Sequence, residues 1–293
     1  VHQRVSGIQS GLDEADAWFV ADWTDVLMVH FEVDEAVLQR TIPFALDCRD
    51  GRAFVSLVMF TMRDLRPARG GAIGECLFRP FREQRFLNVR SYVRHKGDPG
   101  IFFIAEWMSD WLSVQLGPIT YGLPYRRGKL DYHLESNTHE LCADDWRTGS
   151  GCPQHRGMRP SMCDLDGFTG CHGEDWLFSG KVADRKSGDA FECFVGGCRS
   201  MDRSSVSKCS PGSLDEFLLE RYTAFTEHRS RKRLFRIAHE PWKQIAVRPR
   251  IGDDTLLRNA FPWWPDARLV GANYSSGVVD VRMGRPISIR DKR

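Results

Sequence analysis

The chain has 293 residues, 42% of them hydrophobic and 27% charged, with a formal net charge of +2. That is long enough to bury a substantial core, and a charge so near neutral gives no footing for a nucleic-acid binder. No apolar run approaches the roughly eighteen residues of a membrane-crossing helix, and no charged-then-apolar signal segment opens the chain. Nine cysteines in uneven places do not suit a stapled secreted scaffold, so the expectation is a cytoplasmic protein with reduced thiols. The sequence starts at Val1, and what precedes it stays open.

Residues 1–17 are polar and read as a flexible arm. The run "TDVLMVHFEVD" (24–34) is rich in apolar and β-branched residues and predicts a buried strand. "DEAVLQRTIP" (34–43) predicts a short helix, capped by Asp34 and stopped by Pro43. "GRAFVSLVMFTMRDL" (51–65) predicts a long strand, apolar on both faces in its middle, and glycines and prolines make 66–80 a loop. "RFLNVRSYVRH" (85–95) alternates with period two. Phe86, Asn88, Arg90, Tyr92 and Arg94 share one face, opposite Leu87, Val89, Ser91 and Val93. A polar-aromatic face of that kind suits a strand lining a wet cavity or facing solvent.

"GDPG" (97–100) reads as a hairpin turn, "IFFIAEW" (101–107) as the returning strand, and "SDWLSVQLG" (109–117) as a short capped helix. "KLDYHLE" (129–135) is a further strand. From 136 to 175 periodicity is lost among Gly, Pro and seven Cys and His residues, which predicts an inserted Cys-rich loop. Strands resume at 176–183 and 189–197. "GSLDEFLLERYTAFTE" (212–227) carries a capping box, Ser213 with Glu216, and predicts the clearest helix. "KRLFRIAHEPW" and "KQIAVRP" are further strands, and 267–286 closes with a strand pair. Many strands with few short helices argue an α+β domain built on an antiparallel sheet, one domain over 18–290.

Six ordered blocks carry a likeness: "TDVLMVHFEVDEAVLQRTIP", "GRAFVSLVMFTMRDLRP", "LNVRSYVRHKGDPGIFF", "YGLPYRRGKL", "GSLDEFLLERYTAF" and "RLFRIAHEPW". In order and spacing they resemble the YqjF-like family, a domain of unknown function numbered 2071, related to acetoacetate decarboxylase. The resemblance implies an antiparallel sheet curled into a cone-like barrel around a central pocket, with helices outside. It brings no established activity with it. The superfamily's large oligomers keep a homo-oligomer in view.

Acetoacetate decarboxylase presents paired lysines after a Gly-aromatic-Pro turn, where two adjacent ammoniums make one of them neutral and nucleophilic. This chain keeps Gly122, Leu123 and Pro124 but places Tyr125 and Arg126 at the paired positions. Arginine cannot form the imine. Lys129 lies further on, and alternation puts it with Arg127, opposite Gly128 and Leu130. Alternation therefore reads Lys129 as a solvated strand lysine, with a Schiff-base nucleophile as the alternative, and leaves Tyr125 or Arg126 to meet a ligand.

On the strand expected to line the pocket, Arg90 must be paired or bind an anion. Either it clamps a carboxylate with Asn88 and Tyr92 as partners, or it bridges internally to Glu106 or Glu220. His30 and His239 are hydrogen-bonded core residues or, if both face one pocket, a general acid or base. Cys152 and His155 have zinc-ligand spacing, with Cys163 and Cys171 to complete a site, but the spacings match no standard module and free thiols remain the alternative. No phosphate loop or nucleophile elbow appears, and no cofactor is implied. Three functions stay open: a pocket for a small anionic or carbonyl-bearing molecule without Schiff-base chemistry; an enzyme of decarboxylase, aldolase or dehydratase type; and an oligomeric scaffold with a vestigial pocket.

Overall fold

A computed structural model of the chain describes residue 12 and residues 16–134, 176–196 and 206–289. The Cys-rich stretch 136–175, with Cys152, His155, Cys163 and Cys171, lies outside the described residues.

The chain's apolar runs become strands buried on both sides. In β1 (Ala17–Val33), Leu27, Val29 and Phe31 face one core while Val26 and Met28 face another. Asp34 then caps α1 (Glu35–Gln39), its carboxylate accepting the Val37 amide at 2.9 Å. After a short β2 (Ala45–Leu46), β3 (Ala53–Pro67) runs antiparallel to β1 and repeats its two-sided burial. The stretch expected to be a loop instead folds as α2 (Gly71–Phe78) and a 3-10 turn at Arg79–Phe81. Its glycines turn the chain into the helix, Gly70 and Gly71 both having positive φ.

β4 (Glu83–His95) and β5 (Asp98–Met108) form a hairpin. Its reversal lies at Lys96 and Gly97, both at positive φ, just before the turn read from sequence. Such a pair matches the twist of the flanking strands. Asp110 caps α3 (Trp111–Thr120), accepting the Ser113 amide at 2.6 Å. β6 (Tyr125–Leu134), β7 (Trp176–Asp184) and β8 (Ala190–Gly196) follow.

The helix expected over 212–227 is cut short. Its capping box forms as read: Ser213 Oγ accepts the Glu216 amide at 3.1 Å, and the Glu216 carboxylate accepts the Gly212 amide at 2.6 Å. Yet α4 (Leu214–Leu219) stops there, and the chain continues as β9 (Thr223–His228) against β10 (Arg231–Ala238). Thr223, Phe225 and Thr226 are strand formers that fit a pleated, half-buried surface. β11 (Ile245–Ala246), β12 (Pro249–Ile251) and α5 (Thr255–Ala260) lead to β13 (Arg268–Gly284) and β14 (Ile287–Ser288). The expected terminal strand pair is thus mainly one strand of 17 residues. Gly277 does not reverse it. A Cβ there would lie 2.0 Å from the Trp23 carbonyl oxygen, so glycine serves a close backbone approach within the strand.

The pairings run β5–β9–β10–β13–β1–β3–β4, and β4 pairs β5 again, so the sequence of neighbours returns to its start. β5 meets β9 and β6 in parallel, and the remaining pairs are antiparallel. One face of these strands packs against β6, β7, β8 and α5 through Leu130, Phe178, Val182, Phe191 and Leu257. The other face gathers Val26, Met28, Phe54, Val58, Phe86 and Phe103 with the end of α4, and it carries the polar groups described next. Among the described residues no helix is long and apolar enough to cross a membrane.

Candidate functional site

Alternation along β4 aims Phe86, Asn88, Arg90 and Tyr92 at the second core, and all four are buried. Arg94, expected on the same face, sits near the strand's end. Its guanidinium reaches the Asp47 carboxylate at 3.0 Å.

Two groups of buried polar side chains stand on this face. The first centres on His30 of β1. Its Nδ1 lies 2.6 Å from Ser56 Oγ and its Nε2 3.1 Å from Asn273 Oδ1. Ser56 continues to the Tyr92 hydroxyl at 2.5 Å, which donates to the Leu218 carbonyl at 2.8 Å. Asn273 donates to Gln244 at 2.7 Å. Both ring nitrogens of His30 are occupied. Burial, with the Arg90 charge second, holds its pKa down at about 3, so it is neutral near pH 7.

The second group surrounds a cavity of about 30 Å³ bordered by Asn88, Arg90, His239, Trp23 and Trp242. Arg90 is the central residue. Its contacts are long, Nη2 lying 3.4 Å from the Leu218 carbonyl and 3.8 Å from Met28 Sδ, and its Nε has no partner. Among the described residues no carboxylate pairs with it. Glu220 instead accepts the Trp242 amide at 3.0 Å and the Tyr222 hydroxyl, and no Glu106 bond to Arg90 forms. Burial draws the Arg90 pKa down, but an arginine stays charged. Arg221 shows the contrast: equally buried, it meets Asp47 at 2.9 Å and ties the chain after α4 to the sheet.

Glu106 is the residue that sequence reasoning cast only as a counterion. It stands opposite Asn88 on β5 and beside Tyr125 on β6. Burial raises its pKa well above the usual carboxylate range, so it holds its proton near neutrality. Five buried side-chain atoms lack a hydrogen-bond partner among the described residues. Four belong here: Trp23 Nε1, Asn88 Oδ1, Arg90 Nε and Glu106 Oε2. Native interiors satisfy most such atoms, so four of them close together single this region out.

His239 borders the same cavity, whereas His30 does not. Its Nδ1 lies 2.7 Å from the Glu240 carbonyl, which can only accept, so Nδ1 carries the hydrogen and Nε2 is left as an acceptor. Burial holds its pKa down at about 4, keeping it neutral.

The turn at 121–130 divides its side chains between faces. Tyr125 is half-buried against the second core, its ring filling the space above Gly117, where a Cβ would lie 2.2 Å away. Arg126 stacks over Trp107, 5.0 Å from its ring centre, and so lines no cavity at this face. Lys129 is exposed, while Gly128 and Leu130 are buried. No lysine borders the cavity around Arg90. Among the described residues no group of three or more Cys, His, Asp or Glu side chains is placed to hold a metal.

A sequence profile of the DUF2071 family, described as an uncharacterized conserved protein, matches residues 20–278. The uncharacterized protein YqjF of Bacillus subtilis (strain 168) is 36% identical over 109 residues, which are 35% of this chain. That match spans 41% of the relative's length. An acetoacetate decarboxylase-like enzyme from Sphingomonas wittichii RW1 superposes with a TM-score of 0.57 at 16% identity, covering 96% of each chain. Acetoacetate decarboxylase from Legionella pneumophila gives 0.56 at 11% identity, over 99% of this chain and 92% of that one. The enduracididine biosynthesis enzyme MppR, complexed with pyruvate, gives 0.55 at 14% identity, over 94% and 91%. At such identities the likeness speaks for the fold, which is acetoacetate decarboxylase-like, mostly sheet with few helices.

Proposed function

The chain belongs to the DUF2071 family, and from that premise and the geometry of Arg90 we propose that it binds a small anionic or carbonyl-bearing molecule, with no Schiff-base lysine. The circuit of seven strands is read as a cone whose interior is the binding site. The observation that carries the reading is Arg90, a buried cation with no carboxylate partner among the described residues. Leaving a charge so is costly unless a ligand completes it. A carboxylate would take the free guanidinium hydrogens, while the protonated Glu106 and the Trp23 indole N–H supply further donors. The present cavity of about 30 Å³ has room for one water, so binding requires a border side chain to move. Trp23 is half-buried with an unsatisfied indole N–H, which makes it the side chain placed to turn.

Calorimetric titration with acetate, pyruvate and acetoacetate tests this. Binding is expected in the native chain and is expected to vanish in Arg90→Gln. Borohydride reduction in the presence of acetoacetate should leave every lysine unmodified, and an adduct mapped to Lys129 would overturn the second half of the reading.

One observation favours a catalytic alternative. A neutral His239 with a free Nε2 and a protonated Glu106 are a base and an acid on the same face. Such a pair would suit a decarboxylase, aldolase or dehydratase step on a ketone or keto acid. Exchange of the pyruvate methyl protons in D2O, lost in His239→Gln, would favour it.

A further inference from the structure

The same inner face holds a second, larger space of about 210 Å³, and its walls are almost wholly apolar. Trp18, Met62, Leu116, Tyr121, Leu123 and Phe235 are among the residues that line it. Tyr125 stands at its inner side. An engineered apolar cavity of about 150 Å³ holds benzene and stays free of water, so this one suits a slightly larger hydrocarbon group.

The two spaces lie end to end along the same strands. β3 gives Phe60 to the polar cavity and, two residues on, Met62 to the apolar one; β10 gives Ile237 and then Phe235; β1 gives Trp23 and, four residues away, Phe19. One step of two residues along a strand is about 7 Å, the length of a chain of about six carbons. A stacked pair, Phe60 and Phe86, with centres 5.0 Å apart and planes at 9°, lies between them on β3 and β4. Aromatic rings in that position can pivot about their side-chain torsions and let a slender chain pass, whereas a backbone divider could not.

We propose that the ligand of this protein is amphipathic: a carboxylate or ketone head at Arg90 and Asn88, and a hydrocarbon tail of about six to eight carbons, or one substituted ring, in the apolar chamber. This rests on the binding role of Arg90 argued above. The tail supplies affinity by burial, and the head supplies orientation through the unsatisfied donors. Tyr125, beside Glu106, would meet a polar substituent between the two.

The test is the chain-length dependence of binding, measured by calorimetry with acetate, butyrate, hexanoate, octanoate and dodecanoate. Affinity is expected to rise about threefold to fourfold per methylene, then to level off once the chamber is full. In Leu116→Trp, which puts an indole into the chamber from its exposed rim, the octanoate-to-acetate ratio should fall toward one. Placement is read separately by tryptophan quenching: 8-bromooctanoate should quench an emission component that Trp18→Phe removes, and 2-bromooctanoate one that Trp23→Phe removes. Equal affinity across the series, or a ratio unchanged by Leu116→Trp, overturns the tail assignment. Acetate binding that Arg90→Gln abolishes keeps the head reading even then. Octanoate binding that is indifferent to Arg90→Gln overturns the link between the two spaces.

Discussion

The groups around His30 and around Arg90 share one face of one sheet, yet they are finished differently. In the first, His30, Ser56, Tyr92, Asn273 and Gln244 satisfy one another and the Leu218 carbonyl. In the second, Trp23, Asn88, Arg90 and Glu106 each keep an atom without a partner. Both are buried, so burial does not separate them. A complete network fixes the strands that make it, whereas an incomplete one costs stability and persists where a ligand completes it. The two buried arginines repeat the contrast, Arg221 paired with Asp47 and Arg90 unpaired.

Acid should break both halves at once, and this is the largest effect expected. His30 and His239 have folded pKa values of about 3 and about 4, below the ordinary 6.5. The unfolded chain therefore binds their protons first. Their stabilising contribution is fully present above pH 6.5 and is lost as pH falls through 6.5 toward those values. Each histidine contributes a slope of about 1.4 kcal/mol per pH unit in that window. Glu106, raised, acts in the opposite sense: its contribution is present below about pH 4.5 and is lost as pH rises toward its folded pKa. Denaturant midpoints from pH 7 to 4 should fall with acid in the native chain and more steeply in Glu106→Gln, which should also be the more stable protein at pH 7. A flat profile would mean that the histidines are not buried neutral.

Removing one member of each half sharpens the comparison. His30→Ala strands Ser56 and Asn273 and opens a cavity, so a loss of about 3 kcal/mol is expected in urea unfolding. Arg90→Met should do the reverse, leaving stability unchanged or higher because an unpaired charge is gone, while acetate binding falls by about a hundredfold or more. If Arg90→Met unfolds as readily as His30→Ala, Arg90 is structural and the contrast between the groups fails.

Part of this was legible in the sequence. Period-two alternation over 85–95 places Asn88, Arg90 and Tyr92 together without any knowledge of neighbours. The role of Glu106 was hidden by a bulge. Arg90 pairs with Phe103 but Val89 with Ala105, so one extra residue, Ile104, shifts the parity of β5. Strict alternation from Ile101 would have turned Glu106 to the opposite face. The end of α4 was equally hidden, because no glycine or proline marks it, and the strand preference of Thr223–Thr226 took over only once β10 was there to pair. The tautomer of His239 depends on the carbonyl of its own neighbour, Glu240, a matter of backbone direction that side-chain pattern does not encode.

The smallest expected effect concerns Lys129, the lysine that follows the turn at 121–130. Lys129 pairs across to Ala183 on β7 and points to solvent, while its neighbours Gly128 and Leu130 are buried. A nucleophilic lysine needs a dry pocket or a second cation to lower its pKa, and an exposed strand position offers neither the desolvation nor the substrate contact. Lys129→Ala should therefore change stability by no more than about 0.5 kcal/mol, as surface substitutions do. It should leave carboxylate affinity and any proton exchange on pyruvate at native levels. A large loss of either would place chemistry on the exposed face of β6, away from Arg90, and overturn the assignment of binding to the face that Arg90 shares with His30.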